Sequence, residues 1–329
     1  MGHMVPEYDI PNSFFETLEI DTTAEWITAR TGISARRTVL KPETITALRY
    51  DHTSIQALHE EEKLPTLATM GVSAWENLNE RFPGEASVDT DVVICGTSVG
   101  DWEIPAAACP IAGTIGLKGT AFDTNSACSS FVVDLHVLRG LMAIGAHSRG
   151  AVFNVERYSS RLDYKDRASC ILFGDGASVA TVAASEEPIP GSLEVVDTVT
   201  HSDSSGFDLV GIPMYRMFRQ QGSAVQKFAV SRTVEVTKEI MERNELDPEN
   251  VDYFIGHQAN LRMLKSSIAK LGVAEHKHLY NVDTRGNQGG AGAPGVLSQN
   301  WEKYKPGDHI IVAVVGSGLT WAAALLKKH

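Results

Sequence analysis

The side chains best suited to chemistry by type and local context are those of Cys128, His257 and Asn287. Cys128 lies in Asn125-Ser126-Ala127-Cys128-Ser129-Ser130, a small-residue turn running directly into an amphipathic stretch with Phe131, Leu135, Leu138 and Met142 on one stripe. A thiol at a helix N-terminus sits among unpaired N–H groups and at the positive end of the dipole, which favour the thiolate and hence nucleophilic attack. A buried structural cysteine is the competing reading of this segment taken alone. His257 follows a short apolar strand in Ile255-Gly256-His257-Gln258-Ala259-Asn260, and α/β proteins set functional groups where strand ends open into loops. Asn287 lies in Arg285-Gly286-Asn287-Gln288-Gly289-Gly290-Ala291-Gly292-Ala293-Pro294, so poor in side chains that the backbone must approach something closely. Alone, it also reads as a turn before a helix begun by Pro294.

The elements that must position these groups are legible as apolar runs: Val92 to Cys95, Ala151 to Phe153, Cys170 to Phe173, Ser178 to Val182, Tyr253 to Ile255 and His309 to Val315. Several are too uniformly apolar for a sheet with one wet face, so helices must cover both faces and the class is α/β. Helical patterns fill 66–81, 129–146, 224–243, 260–271 and 294–303. Each half of the chain ends in a Gly-rich turn followed by another apolar strand, at Phe173-Gly174-Asp175-Gly176-Ala177 and at Val315-Gly316-Ser317-Gly318-Leu319. That hints at a duplication, with a boundary in the Pro-rich Glu186-Glu187-Pro188-Ile189-Pro190-Gly191.

Composition sets the outer limits. With 329 residues and 43% hydrophobic content the chain can bury a large core, and no apolar run is long enough to span a bilayer. No signal peptide pattern opens the sequence, so a soluble cytoplasmic enzyme is expected. A net charge of −12 argues against nucleic acid. The four cysteines, at 95, 109, 128 and 170, lack metal-ligand or disulfide-framework spacing, and Cys95, Cys109 and Cys170 read as core residues. Met1-Gly2-His3-Met4 looks like cloning residue, and Lys327-Lys328-His329 is either a native end or the stub of a tag; both ends are left out of the functional reading.

Taken together, several segments resemble, in order and spacing, the motifs of the ketoacyl-acyl-carrier-protein synthase III family of the thiolase-like superfamily. They are Asn125 to Phe131, Gly256-His257-Gln258-Ala259-Asn260-Leu261-Arg262, Gly286-Asn287 and Gly316-Ser317-Gly318-Leu319-Thr320-Trp321. The likeness extends to Asp21 through Ile27 with Arg30-Thr31-Gly32-Ile33, to Phe173-Gly174-Asp175-Gly176-Ala177, and to Val225 through Val230. It implies a thiolase-like, five-layered αβαβα fold built from two related halves, residues 1–186 with the nucleophile and 187–329 with the His and Asn. Cys128 would accept the acyl group, His257 and Asn287 would be its catalytic partners, and the backbone N–H groups of Cys128 and Ser317 would form the oxyanion hole. No metal or organic cofactor is implied; acyl-phosphopantetheine or acyl-CoA is substrate, and Trp26 is a pantetheine or CoA contact. An acyl carrier protein would dock on Lys227, Arg262 and Lys265, extended by Arg216 and Arg219, and a homodimer is implied.

Three departures from the family pattern stand out. A β-strand usually precedes the start near Val5-Pro6-Glu7, so a core strand is either absent or differently supplied. Ser160 falls where a basic residue should face Trp26, with Arg161 next to it as a substitute. Gly289, Gly290, Gly292 and Ala293 stand where bulkier residues are usual, and Ile104 replaces an aromatic at the subunit contact; the smaller side chains either open a cavity for longer acyl chains or tighten the packing. The favoured expectation is a polyketide-type ketosynthase joining carrier-bound chains, with an interchain product that could cyclise to a pyrone. The alternatives are fatty-acid initiation from acyl-CoA and malonyl carrier protein, acyl transfer to a hydroxyl or amine, and a Cys-His hydrolase.

Overall fold

In the computed structural model, which describes residues 1–51, 54–61, 64–84, 89–214 and 216–329, two β-sheets stack through a shared helical layer. In chain order the strands are β1 (Gly2–Met4), β2 (Tyr8–Pro11), β3 (Ala35–Thr38), β4 (Val92–Gly96), β5 (Thr120–Thr124), β6 (Arg149–Arg157), β7 (Asp175–Ala183), β8 (Leu193–Ser202), β9 (Val210–Gly211), β10 (Arg219–Gln220), β11 (Tyr253–Gly256), β12 (His309–Gly316) and β13 (Thr320–Lys328). The helices are α1 (Asn12–Glu16), α2 (Ala24–Thr31), α3 (Pro42–Tyr50), α4 (Ser54–Glu60), α5 (Leu67–Arg81), α6 (Ala108–Ile115), α7 (Ser130–Ala143), α8 (Gly222–Arg243), α9 (Leu261–Leu271), α10 (Val282–Arg285) and α11 (Gly292–Gln299).

One sheet has the order β1-β7-β6-β4-β5, the other β11-β12-β13-β8. Strand alternation divides each sheet between two cores. Val92 and Ile94 of β4 face α7 and α11, whereas Val93 and Cys95 face α5 and α6. In the second sheet Ile310, Val312 and Val314 face the same α7 and α11, and Ile311, Ala313 and Val315 face α8 and α9. The order is therefore helices, sheet, helices, sheet, helices, and both sheets are covered on both faces. This explains why the strand runs carry no polar stripe. Among the described residues no helix is long and apolar enough to cross a membrane.

Several sequence expectations change. Of the two outcomes left open for the first core strand it is the second that holds, and the strand is made by the residues set aside as cloning sequence: Gly2, His3 and Met4 pair antiparallel with Val179, Ser178 and Ala177. Gly2 is needed there, because a Cβ would lie 2.2 Å from the Ala74 carbonyl oxygen of α5. The His3 N–H donates to Asn77 Oδ1 at 3.0 Å, and its ring Nδ1 lies 2.9 Å from Ser298 Oγ. At the other end, Lys327 and Lys328 belong to β13, with the Lys328 ammonium 4.9 Å from the Trp301 ring centre.

The run Cys170 to Phe173 is not a strand. The Asp166 side chain accepts from the Ala168 N–H and the Ser169 hydroxyl, and its carbonyl accepts from the Ser169 and Cys170 N–H groups. These local bonds wind residues 166–172 into turns, and the apolar side chains are buried instead in a third core with Phe15, Leu18 and Tyr158. Cys109 is exposed rather than buried: α6 turns Ala108, Ile111 and Ala112 inward, which leaves Cys109 on the outer side.

Candidate active site

Cys128 sits in a single 3₁₀ turn, Ala127–Ser129, between the end of β5 and the first residue of α7. Ala127 is held at φ +48°, a left-handed conformation that costs a residue with a Cβ and persists only where its surroundings enforce it. The surroundings here are serine hydroxyls. Ser129 Oγ donates to the Ser126 carbonyl at 2.7 Å, Ser130 Oγ donates to the Ala127 carbonyl at 2.8 Å, and the Ser126 N–H donates to Ser130 Oγ at 3.1 Å. Both Ser129 and Ser130 are completely buried.

The same turn is fastened to the Gly-rich turn after β12. Ser129 Oγ and Thr320 Oγ1 are 2.7 Å apart, and Thr320 Oγ1 also contacts the Ser317 carbonyl at 3.2 Å. Gly316 allows this approach, since a Cβ there would stand 2.7 Å from the Ser126 oxygen and 2.9 Å from the Ser129 nitrogen. The Ser317 hydroxyl is turned away and donates to the Val210 carbonyl.

His257 continues from β11, its N–H bonded to the Ala313 carbonyl of β12 at 2.9 Å. Gln258 fixes the loop: its Nε2 donates to the Gly256 carbonyl at 2.8 Å, and its Oε1 accepts from the Asn281 N–H at 3.0 Å. Asn260 caps α9 by accepting from the Arg262 and Met263 N–H groups. The imidazole is buried, Nδ1 has no hydrogen-bond partner among the described residues, and burial lowers the ring to about 4, so it is neutral at physiological pH. It borders a cavity of about 10 Å³ shared with Ala229, Thr233, Ala259 and Val315, space for about one water.

Asn287 is anchored through its backbone, its N–H donating to the Leu172 carbonyl at 2.8 Å and its carbonyl accepting from Gly174 N–H at 3.0 Å. Its side-chain Oδ1 accepts from the Gly289 N–H at 3.0 Å, which leaves Nδ2 as the donor end of the amide. The glycines that follow do not open a cavity. A Cβ on Gly289 would lie 2.5 Å from Tyr158 Cε2, on Gly290 3.3 Å from the Ala127 oxygen, and on Gly292 3.0 Å from Gln258 Cβ. They let the Asn287 loop close against the cysteine turn and the His257 loop, so of the two readings of these small side chains the tighter packing holds.

Two residues beside the sulfur were not singled out from the sequence. Tyr158 Oη is 3.9 Å from Cys128 Sγ, and its ring stacks on Phe173 at 4.5 Å. Glu156, fully buried, accepts from the Ser98 N–H and hydroxyl, each at 3.0 Å, and from the Gly290 N–H at 3.1 Å. Burial raises its carboxyl to about 7. Burial also pushes the Cys128 thiol up to about 12, and Glu156 adds to the shift. Burial thus opposes the bias toward thiolate expected from a helix N-terminus.

At the outer edge, Trp26 on α2 is partly exposed, and two guanidinium groups lie over its ring, that of Arg30 from the same helix at 5.8 Å from the ring centre and that of Arg167, paired with Asp21 at 2.8 Å, at 4.9 Å. Neither Ser160 nor Arg161 takes that place; Ser160 is buried, donating to the Arg157 carbonyl at 2.9 Å and accepting from Arg157 Nε at 3.3 Å. Lys227 of α8 and Arg262 and Lys265 of α9 are exposed on adjacent packed helices, with Lys265 paired to Glu275 at 2.9 Å. Arg216 and Arg219 are also exposed.

Comparison with known proteins follows the same outline. Residues 241–328 match the family described as 3-oxoacyl-[acyl-carrier-protein (ACP)] synthase III C terminal, and residues 122–204 match 3-oxoacyl-[acyl-carrier-protein (ACP)] synthase III. The chain is 32% identical to a β-ketoacyl-[acyl-carrier-protein] synthase III of Aliarcobacter butzleri, over 99% of this chain and 96% of that one. It superimposes on the crystal structure of the Thermus thermophilus β-ketoacyl-[acyl-carrier-protein] synthase III with a TM-score of 0.87 and 30% identity, covering 100% and 98% of the two chains. A priming β-ketosynthase from a polyketide biosynthetic pathway gives a TM-score of 0.84 at 26% identity, covering 99% and 94%.

Proposed function

The chain belongs to the β-ketoacyl-[acyl-carrier-protein] synthase III family of acyl-transferring, Claisen-type condensing enzymes, and on that premise we propose that it loads a short acyl group onto Cys128 and joins it to a malonyl-type thioester on an acyl carrier protein. The observation that carries this reading is the fastening of the Cys128 turn to the Ser317 turn by Ser129 and Thr320.

In the first half-reaction Cys128 Sγ attacks the thioester carbonyl, forming a carbon–sulfur bond and a tetrahedral oxyanion that the N–H groups of Cys128 and Ser317 receive. Collapse breaks the bond to the donor thiol and leaves an acyl-cysteine. In the second, loss of carbon dioxide from the malonyl thioester leaves an enolate, whose oxygen accepts hydrogen bonds from His257 Nε2 and Asn287 Nδ2. A ring lowered to about 4 serves this purpose as a neutral donor and is a weak proton acceptor. The carbanion attacks the acyl-cysteine, the carbon–sulfur bond breaks, and the β-ketoacyl thioester departs.

A short acyl group is taken because the Gly289 to Gly292 loop packs closely against Tyr158, Glu156 and Gln258 and offers no widened space beside the Cys128 turn. The small side chains of that loop therefore lend no support of their own to polyketide chains or a pyrone product. Trp26 with Arg167 offers a flat cationic platform for the donor's CoA or pantetheine, and Lys227, Arg262 and Lys265 the surface for an acidic carrier protein. We assign residues 1–186 and 187–329 as the two related halves. A homodimer would cover β5, which forms one edge of its sheet.

The test is intact-protein mass spectrometry with acetyl-CoA, followed by malonyl carrier protein. A 42-dalton adduct is the mass of an acetyl group replacing one hydrogen, about 42 by its atomic composition. It should form on the wild type, be absent from Cys128→Ala, and discharge as a β-ketoacyl carrier. Discharge as an ester or amide would establish acyl transfer to another acceptor, and rapid loss to water a hydrolase.

A further inference from the structure

We propose that Glu156 is a positioning residue for the half-reaction that forms the carbon–carbon bond: its carboxylate grips the Gly290 N–H and so holds the glycine peptides that aim the Asn287 amide at the enolate. The inference rests on the condensing role of the site and adds to it the group that keeps one enolate donor in place.

Adjacent hydrogen bonds lead from the carboxylate to the amide. Glu156 Oε1 accepts from the Gly290 N–H at 3.1 Å, and the neighbouring Gly289 N–H donates to Asn287 Oδ1 at 3.0 Å, which leaves Nδ2 as the donor end. Gly289 and Gly290 open the 3₁₀ turn Gly289–Ala291 that runs into α11, so their N–H groups must be met from outside it. Two glycines in succession have little backbone preference of their own, and Gly289 stands at φ +54°. The acceptors around them therefore set their peptide planes. Asn287 is tied by its backbone to Leu172 and Gly174, and Gln288 by its Nε2 to the Asp175 carbonyl at 2.5 Å. Glu156 supplies the tie on the other side of the amide, and it lies so close that a Cβ on Gly289 would stand 2.9 Å from its Oε1.

A carboxylate is the group this place needs. Three donors converge on it: the Gly290 N–H, and the N–H and hydroxyl of Ser98, both at 3.0 Å. The two N–H groups belong to the backbone and cannot turn away. A proton or an NH2 on either terminal atom therefore sets donor against donor and releases one of them. The cysteine turn is held by other means, the hydroxyls of Ser129, Ser130 and Thr320, whose bonds run to one another and to carbonyls of the two turns. Loss of the Glu156 grip thus falls on Asn287 and spares the nucleophile. Burial raises the carboxyl to about 7 and Asp175 of β7 adds to the shift, while the three donors oppose it. The other titratable groups facing it, Cys95 of β4, Cys128 and Tyr158, are all raised and neutral in this range, and Arg157, its neighbour in β6, is engaged by Asp101 at 2.8 Å. The grip weakens as pH falls through about 7.

The experiment measures the two half-reactions apart by quenched intact-protein mass spectrometry: acetylation of Cys128 by acetyl-CoA, and discharge of the isolated acetyl-enzyme by malonyl carrier protein. The proteins are the wild type, Glu156→Gln, Asn287→Ala and the Glu156→Gln/Asn287→Ala double variant, with folding checked by circular dichroism. Glu156→Gln should acetylate no more slowly than the wild type, because the repulsion that Glu156 exerts on the thiolate is gone. Its discharge should slow by at least ~10-fold, within the roughly 100-fold that a misplacement of about 1 Å costs. The double variant should discharge no more slowly than Asn287→Ala, since Glu156 acts through that amide. Wild-type discharge should fall several-fold as pH drops from about 8 to about 6 while the glutamine variant stays level, His257 being neutral throughout. Discharge by Glu156→Gln within about two-fold of wild type, an equal loss in both half-reactions, or a Glu156→Gln penalty that persists in full without Asn287 overturns the proposal. If Glu156→Gln misfolds, the wild-type pH profile decides, and a level discharge rate counts against the proposal. A wild type that is never acetylated would sink the condensing reading itself, a different outcome from normal acetylation with normal discharge in the variant.

Discussion

Replacing Ser129 by Ala tests how the nucleophile is held. Its hydroxyl has no solvent contact, donates to the Ser126 carbonyl at 2.7 Å and lies 2.7 Å from Thr320 Oγ1. Truncation removes two hydrogen bonds to half-buried partners, each worth about 0.5–1.5 kcal/mol net, for a cost of about 1–3 kcal/mol. Part of that cost falls on stability. The rest falls on geometry, because Ala127 is held at φ +48° by this web and the Cys128 and Ser317 turns lose their shortest tie, keeping only the 3.4 Å contact of Thr320 Oγ1 with the Ser126 carbonyl. A displacement of about 1 Å between nucleophile and oxyanion donors costs roughly 100-fold in rate. The assay is a pair of measurements, urea unfolding and single-turnover acylation of Cys128 from acetyl-CoA. The expected result is a loss of about 1–3 kcal/mol in stability together with acylation slowed by about 10–100-fold. Full acylation rate in a variant destabilised by that amount would refute the idea that Ser129 aligns the two turns. Unchanged stability would refute the hydrogen-bond web.

Gly289→Ala should destabilise by about 1–3 kcal/mol in denaturant titration, through overpacking at 2.5 Å from Tyr158 Cε2 and a backbone φ of +54°; an unchanged midpoint would mean that the loop has slack. Glu156→Gln should flatten part of the pH dependence of stability. Burial raises the folded-state carboxyl from 4.5 to about 7, so its protonated form is the one the fold tolerates; its stability contribution is present below about 4.5 and is lost as pH rises to about 7. The glutamine variant should therefore gain on the wild type by up to about 3 kcal/mol between pH 4.5 and 7.5, measured by urea unfolding across that range. Arg262→Glu should raise KM for carrier-bound malonyl substrate several-fold while leaving acylation from acetyl-CoA unchanged; equal effects on both would assign Arg262 to something other than carrier docking. Removing Gly2 to Met4 should lower the melting temperature, because it strips β7 of an antiparallel partner and α5 of its contact with Gly2.

What the sequence disclosed and what it withheld divide along physical lines. Doubly covered strands such as Val92 to Gly96 and His309 to Gly316 announce themselves, because a strand with no wet face has no polar alternation. The turns at Cys128, His257, Asn287 and Ser317 were visible because close backbone approach demands glycine, alanine and serine, residues that leave a compositional mark. β1 was invisible: three residues cannot display a period, and its identity as a strand comes from β7 and α5. The run Cys170 to Phe173 was misread because apolar content marks burial, not the element that is buried, and Asp166 supplies turn bonds from outside the run. The Gly289 to Gly292 segment was ambiguous for a related reason. A missing side chain leaves either a void or room for a neighbour, and the neighbours are Tyr158, Glu156 and Gln258, remote in sequence. Glu156 and Tyr158 carried a faint signal, a carboxylate next to the last residue of β6 and a phenol just beyond it, where every position of the strand from Gly150 on is buried. Their meaning depends on Ser98 and Cys128, which only folding brings alongside.

The most direct measurement is a crystal structure of the Cys128 acetyl-enzyme. The account predicts the acetyl oxygen within hydrogen-bond distance of the Cys128 and Ser317 N–H groups, with His257 Nε2 and Asn287 Nδ2 facing a shared space in front of the acetyl carbon. An acetyl oxygen bound elsewhere, or His257 and Asn287 opening onto a space the acetyl group does not reach, would contradict it.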